Sequence, residues 1–160
     1  MPRAAVLRIG LISDTHGLMR PEALAALHGA DHIIHAGDIC GQHVLDQLGA
    51  IAPVTAVRGN NDRDAWGSTL NETERVLLAG KTFFVIHDIA QFDLDPVAAG
   101  IHVVIAGHSH KAMHEIRDGV HYLNPGSAGP RRFNLPIGLG LLEIRGNTLT
   151  PRLMELRIAS

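Results

Sequence analysis

Five short stretches of this 160-residue chain carry side chains that could do chemistry. They are Ser-Asp-Thr-His-Gly at 13–17, Ala-Gly-Asp at 36–38, Arg-Gly-Asn-Asn-Asp at 58–62, Ile-His-Asp at 86–88 and Ala-Gly-His-Ser-His at 106–110. Together they offer Asp14, His16, Asp38, Asn60, His87, His108 and His110, a set of oxygen and imidazole donors with no thiolate among them. Such donors suit Mn²⁺, Fe²⁺ or Zn²⁺. Seven exceed what one ion takes from a protein, and two ions sharing one ligand would use them all. Each stretch alone has a blander use: Asp-x-His after a strand caps a helix, His-x-His sits on a surface, and Gly-Asp or Gly-Asn makes a turn. Their common placement separates them from that reading.

All five follow an apolar run. Residues 6–13 read as a buried strand, 21–27 as a short helix with proline at its first position, 32–36 as a strand, and 41–48 as a helix closed by Gly49. A third strand covers 54–57, and the polar stretch 60–73 shows no helical period. Residues 75–87 read as two strands about the turn Ala79-Gly80-Lys81. Asp95-Pro96 and Gly100 bracket one or two turns of helix, and 102–106 is another apolar strand. Hairpins around Asp118-Gly119 and Gly146-Asn147 complete the pattern. In an open α/β sheet the strand ends on one edge are spatial neighbours, and ligands bind there. The five polar stretches are therefore expected to meet.

Composition sets the context. With 46% hydrophobic residues and no internal repeat or linker, the chain reads as one domain, 1–160. Its 14 basic and 16 acidic residues, with no basic run beyond Arg131-Arg132, leave no footprint for duplex nucleic acid or an anionic membrane. Any anionic substrate is expected to be small and locally bound, and self-association is left open. The opening Met1-Pro2-Arg3-Ala4-Ala5 is followed by an apolar run too short for a signal peptide or a membrane span. The single cysteine, Cys40, cannot form an internal disulfide, so the expectation is a cytoplasmic, reduced protein. Eleven histidines beside four phenylalanines, one tryptophan and one tyrosine are more imidazole than a core needs.

In type and order the five blocks resemble the calcineurin-like metallophosphoesterase superfamily, whose pattern is Asp-x-His, Gly-Asp, Gly-Asn, His and Gly-His-x-His. Asn-Pro-Gly-Ser at 124–127 resembles the post-site turn of its small single-domain phosphodiesterase branch, so the likeness covers nearly the whole chain. The resemblance implies an α/β fold: a four-layer α-β-β-α sandwich of two mixed sheets flanked by helices, with a dimetal site at strand C-terminal ends. It implies that Asp14, His16 and His110 hold one ion, that Asn60, His87 and His108 hold the other, and that Asp38 bridges them. Asp38, Asn60 and His87 would form the catalytic centre. Two Mn²⁺ ions are the first expectation, with Fe²⁺, Zn²⁺ or Ni²⁺ also compatible. The implied chemistry is in-line attack of a metal-bridging hydroxide on phosphorus, on diesters before monoesters, with no phosphoenzyme. A retromer subunit with the same fold acts as a scaffold; here every ligand position holds a competent donor, which favours an enzyme.

Two positions depart from the family pattern. Asn61 stands where many members place a proton-donating histidine, and an amide has no proton to give at neutral pH. Asp88 stands where glycine is usual, and aspartate tolerates left-handed backbone. Asn61, Arg131 and Arg132 are candidates for holding substrate oxygens. His35 reads as a buried, hydrogen-bonded strand histidine, and Cys40 as a small core residue. His28, His32, His43, His102, His114 and His121 read as surface or helix-end residues.

Overall fold

In the computed structural model, residues 5–158 are described; most of the opening stretch weighed above as a leader, 1–4, lies outside them. The chain begins β1 (Val6–Ile12), α1 (Pro21–Leu27), β2 (His32–His35), α2 (Gln42–Gly49) and β3 (Val54–Ala56). It continues through β4 (Thr73–Leu78), β5 (Lys81–Ile86), β6 (Val103–Ile105), β7 (Met113–Arg117) and β8 (Val120–Asn124). It closes with β9 (Gly138–Arg145) and β10 (Thr148–Glu155). Two five-stranded mixed sheets result, in the orders β10-β9-β1-β2-β3 and β4-β5-β6-β8-β7. Strands β1, β2 and β3 run parallel, as do β5, β6 and β8, while hairpin partners add antiparallel strands at the edges.

The apolar runs lack polar alternation because both faces of the central strands are covered. Ile9, Leu11, Ile34, Phe83, Val85, Val103, Ile105, Leu123, Leu142 and Ile144 fill the space between the sheets. The opposite face of the first sheet, through Ile12, Ile33 and Leu139, packs on Ala23 and Leu27 of α1 and Val44 and Leu48 of α2. Each helix thus buries one narrow stripe, and tertiary packing holds two helices of only seven and eight residues. No helix among the described residues is long and apolar enough to cross a membrane. Pro151 sits within β10, an edge strand, where a missing N–H costs no ladder bond on the open side.

The outer face of the second sheet is covered by turns. Phe92 and Ala99 pack on Phe84, Val104 and Tyr122. At 95–101, Asp95 caps Ala98 N–H, and Ala99 N–H reaches Asp95 O at 2.9 Å, but the expected helix does not form and the segment is a single hydrogen-bonded turn. Gly100, at φ +72°, ends it, and Ile101 N–H closes back on Pro96 O. The loop 60–73 contains a 3₁₀ turn, Gly67–Thr69, for which the sequence offered no signal.

Candidate metal centre

The strand ends meet at one end of the sandwich, tied by backbone bonds that continue past the ladders. Asp14 N–H donates to Gly37 O at 3.0 Å, His16 N–H to Asp38 O at 2.9 Å, and Gly107 N–H to His87 O at 2.9 Å. At these ends the chain turns through left-handed backbone. Asp14 (φ 55°), His16 (48°), Asp38 (56°), His108 (71°) and His110 (63°) are five of the nine non-glycine residues with positive φ among the described residues. Such conformations cost about 1–3 kcal/mol each and persist where packing and hydrogen bonds over-determine them. Close approach also excludes side chains between the blocks. A Cβ on Gly59 would strike Asp38 N and Oδ1, and one on Gly107 would strike Ser13 Oγ.

Five of the seven expected ligands converge in a buried cluster. His16 Nε2 lies 3.9 Å from Asp14 Oδ1 and 3.7 Å from Asp38 Oδ2. His87 Nε2 lies 3.8 Å and 3.4 Å from the same two oxygens, and His110 Nε2 is 3.4 Å from Asp14 Oδ1. Two groups could hold an ion: Asp14, His16 and His110, and Asp14, Asp38 and His87. Metal–ligand bonds of about 2.0–2.2 Å place neighbouring donors about 3–4 Å apart, which is the spacing seen. Asn60 and His108 pair at the exposed rim, with His108 Nδ1 3.2 Å from Asn60 Oδ1, a separation that fits shared coordination.

Orphaned polar atoms mark the same place. Among the described residues, the buried side-chain atoms without a hydrogen-bond partner are Asp14 Oδ1, His16 Nε2, His87 Nε2, His110 Nδ1 and Arg20 Nε, so four of five belong to expected ligands. Buried polar atoms are nearly always satisfied, and unsatisfied ones signal an absent ion or water. The second nitrogen of His87 explains its aim: Nδ1–H donates to Ala36 O at 2.7 Å, which fixes the tautomer and leaves Nε2 bare toward Asp14 and Asp38. The residues present fit a divalent cation.

Electrostatics agree. Burial pushes the Asp14 carboxyl up, but His110, the Ser13 hydroxyl and His87 together outweigh it and hold it below the usual range. Burial also opposes ionisation of Asp38, yet His87 and the two Asn61 donors leave it far below the usual carboxylate range. For His87 burial disfavours the cation, while Asp38 and Asp14 prevail and raise its pKa. Ionised acids beside these imidazoles form a site that attracts cations.

The remaining candidates distribute differently from expectation. Asn61, a candidate for holding substrate, donates instead to Asp38: its N–H to Oδ1 at 2.8 Å and its Nδ2 to Oδ2 at 2.9 Å. Arg131 and Arg132 are exposed, and Arg131 reaches Leu135 O within its own loop. Asp88 has φ −114°, so the left-handed backbone expected there is not adopted; its side chain caps Ala90 N–H and lies 3.8 Å from His108 Nε2. Cys40 is half-buried at φ 62°, with Sγ 4.0 Å from His16 Nδ1, and is no core residue. Burial and Asp62 push its thiol up to about 11. His35 is fully buried and satisfied, as expected: Gly37 N–H donates to its Nδ1 and its Nε2 meets Thr15 Oγ1 at 3.0 Å.

Four residues that sequence reasoning passed over hold the ligands in place. Asp62, 1% exposed, accepts Ile39 N–H, Cys40 N–H and Gly59 N–H, which clasps the loop after β2 to the loop after β3. Ser13 Oγ donates to Asp14 Oδ2 at 2.7 Å, and Ser127 Oγ to Asp14 O at 3.0 Å. Asn124 donates to Gly107 O at 2.9 Å and Ser109 Oγ at 3.1 Å. The signal for Asn124 and Ser127 was the 124–127 turn itself; for Asp62 it was an acid two residues past Asn60.

Comparison with known proteins adds a family context. A model of the calcineurin-like phosphoesterase superfamily domain matches residues 7–147. A probable metallophosphoesterase of Methanothermobacter thermautotrophicus is 35% identical over 159 residues, covering 92% of this chain and 91% of that protein. A phosphodiesterase of Methanocaldococcus jannaschii is 28% identical over 156 residues, covering 86% and 93%. Among solved structures, Vps29 of Entamoeba histolytica complexed with Zn²⁺ superposes with a TM-score of 0.73 at 27% identity, covering 91% of this chain and 90% of that one.

Proposed function

Because the chain belongs to the calcineurin-like phosphoesterase superfamily, we propose that it is a phosphodiesterase that works with two divalent metal ions, Mn²⁺ foremost. The observation that carries this reading is the convergence of Asp14 Oδ1, His16 Nε2 and His87 Nε2, buried and unpartnered, on one point beside Asp38. Asp14, His16 and His110 would hold one ion, Asn60, His87 and His108 the other, and Asp38 both. Divalent ions bound there supply a deprotonated water at neutral pH and neutralise charge on phosphoryl oxygens.

The chain's own residues do the positioning. Asp38 Oδ2 lies nearer to both His16 Nε2 and His87 Nε2 than Asp14 Oδ1 does, which suits it to the shared position, although Asp14 is the residue common to both candidate ion groups. Asn61 steadies that carboxylate through both oxygens, and the Ala36 carbonyl keeps His87 in the ligating tautomer. Beside Asn60, His87 and His108 opens a cavity of about 410 Å³, large enough for one arm of a diester. Beside the cluster, Ser13 donates to Asp14, Thr15 donates to Ile39 O, and the Cys40 thiol, pushed up by burial and Asp62, stays protonated. This supports direct hydrolysis. The diester preference draws on the Methanocaldococcus phosphodiesterase.

A second reading, a scaffold of the Vps29 kind, is favoured by the shared fold. Hydrolysis of a panel of phosphomonoesters, phosphodiesters and cyclic nucleotides with Mn²⁺, Ni²⁺ or Zn²⁺ tests the choice. Metal-dependent turnover of diesters is expected; stoichiometric metal without turnover of any ester would favour the scaffold.

A further inference from the structure

The cavity beside the metal centre is lined by an arginine that no carboxylate among the described residues neutralises. Its walls include Asn60, His87 and His108 of the centre, and Arg58, Glu72 and Thr73 where the chain leaves β3 and enters β4. Arg58 is half-buried and held from two sides: its backbone N–H donates to Asn71 O at 2.8 Å and its Nε to Asp62 O at 2.9 Å. The side chain is therefore aimed by the same aspartate that clasps the ligand loops. Among the described residues the arginines in ion pairs within 4.0 Å are Arg8 and Arg117, and no carboxylate pairs with Arg58. Glu72, the nearby acid of the cavity wall, is exposed, and Asp88 is engaged with Ala90 N–H and faces His108.

A half-buried guanidinium loses hydration without gaining a counter-charge, which disfavours the position unless a ligand supplies one. Its planar fork suits bidentate recognition of phosphate or carboxylate oxygens. Resting on the function proposed above, we propose that Arg58 anchors an anionic oxygen of the substrate in this cavity, the role first assigned to Arg131 and Arg132. Two oxygens could fill it: a non-bridging oxygen of the reacting phosphoryl group, or a second phosphate or carboxylate on the part of the substrate lying in the cavity. Either way the protein selects substrates by charge delivered to Arg58, two residues from Asn60.

Calorimetric binding of product analogues tests this without turnover. Thymidine 3′-phosphate and thymidine 3′,5′-bisphosphate are titrated into Mn²⁺-loaded wild type, Arg58→Gln and Arg58→Lys, with metal stoichiometry and melting temperature measured for each. If Arg58 holds a second anion, wild type binds the bisphosphate about tenfold more tightly, and Arg58→Gln abolishes that preference. If it holds the reacting phosphoryl group, Arg58→Gln weakens both ligands about tenfold alike. In both cases Arg58→Lys recovers much of the loss. The proposal is overturned if wild type binds neither ligand, if Arg58→Gln stays within twofold of wild type for both, or if the lysine variant is as impaired as the glutamine one. Turnover is assayed separately: a protein that binds these anions through Arg58 but hydrolyses no ester would refute the phosphodiesterase and leave the anchor standing.

Discussion

Replacing Asp62 with alanine should damage both the stability of the fold and the proposed metal centre. Its carboxylate receives three backbone donors, Ile39 N–H at 3.1 Å, Cys40 N–H at 2.9 Å and Gly59 N–H at 2.8 Å, in a site only 1% exposed. A buried donor left without a partner costs about 1–3 kcal/mol. Water entering the vacated space satisfies part of that, so Asp62→Ala should lose about 3–6 kcal/mol of stability in all. For a domain of this size the melting temperature should fall by about 10–20 °C. A functional loss should accompany it, because Ile39 and Gly59 flank Asp38 and Asn60. Groups that orient metal ligands typically contribute about 10–100-fold to affinity, and a loss of that order is expected. Asp62→Asn, which keeps one acceptor oxygen, should fall between. Urea unfolding of metal-free protein and calorimetric Mn²⁺ titration read the two effects. An alanine variant within about 1 kcal/mol of wild type, with affinity within about twofold, would refute the clasp.

Three further outcomes are expected. Burial holds His35 down to about 4 from 6.5, so unfolding takes up a proton between those values; stability of metal-free protein should therefore decline as pH falls from 6.5 toward 4, by up to about 3 kcal/mol, and His35→Gln should flatten a plot of urea midpoint against pH in that window. The raised His87 pKa acts with the opposite sign and at higher pH, its contribution being lost as pH rises above 6.5. Asn61→Ala removes the amide bond to Asp38 Oδ2 but keeps the backbone bond to Oδ1, so Mn²⁺ affinity should fall about 5–10-fold, an effect of one hydrogen bond; no change by calorimetry would mean the amide is incidental. With no histidine at position 61, leaving-group basicity should control the chemical step: nitrophenyl diesters should react much faster than alkyl diesters, and Asn61→His should narrow the gap by speeding the alkyl ones. A flat dependence of rate on leaving-group pKa would reveal another proton donor.

Much of this site was legible because parallel strands put their ends on one edge. Asp14, Asp38, Asn60, His87 and His108 each lie within three residues of an apolar run, and strand direction alone gathers them. The blocks carried the fold as well, since β1 beside β2 in one sheet and β5 beside β6 in the other had to end at the same end of the sandwich to bring them together. What the sequence hid were groups whose roles depend on which loops touch. Asn61 read as a candidate for holding substrate oxygens and Asp62 was passed over, yet the first serves a carboxylate 23 positions earlier and the second serves amides 22 and 23 positions earlier. Arg131 and Arg132 drew notice as an adjacent basic pair, whereas Arg58, hidden inside the Gly-Asn block, is the arginine that lines the cavity. Residues 95–100 carried cap, proline and glycine signals for a helix, but those signals sit so close together that only one turn fits between them.

The cluster around Asp38 is proposed to bind two divalent ions and to use them to hydrolyse phosphodiesters. Turnover of bis(p-nitrophenyl) phosphate by metal-stripped protein, titrated with Mn²⁺ in parallel for wild type and Asp38→Ala, tests this most directly. Wild type should be inactive in chelator and reach full activity as the second equivalent of Mn²⁺ binds, while Asp38→Ala should lose at least about 100-fold at the same metal concentration, in line with loss of metal-centred catalysis. Turnover that persists in strong chelator, or that Asp38→Ala leaves unchanged, would contradict the account.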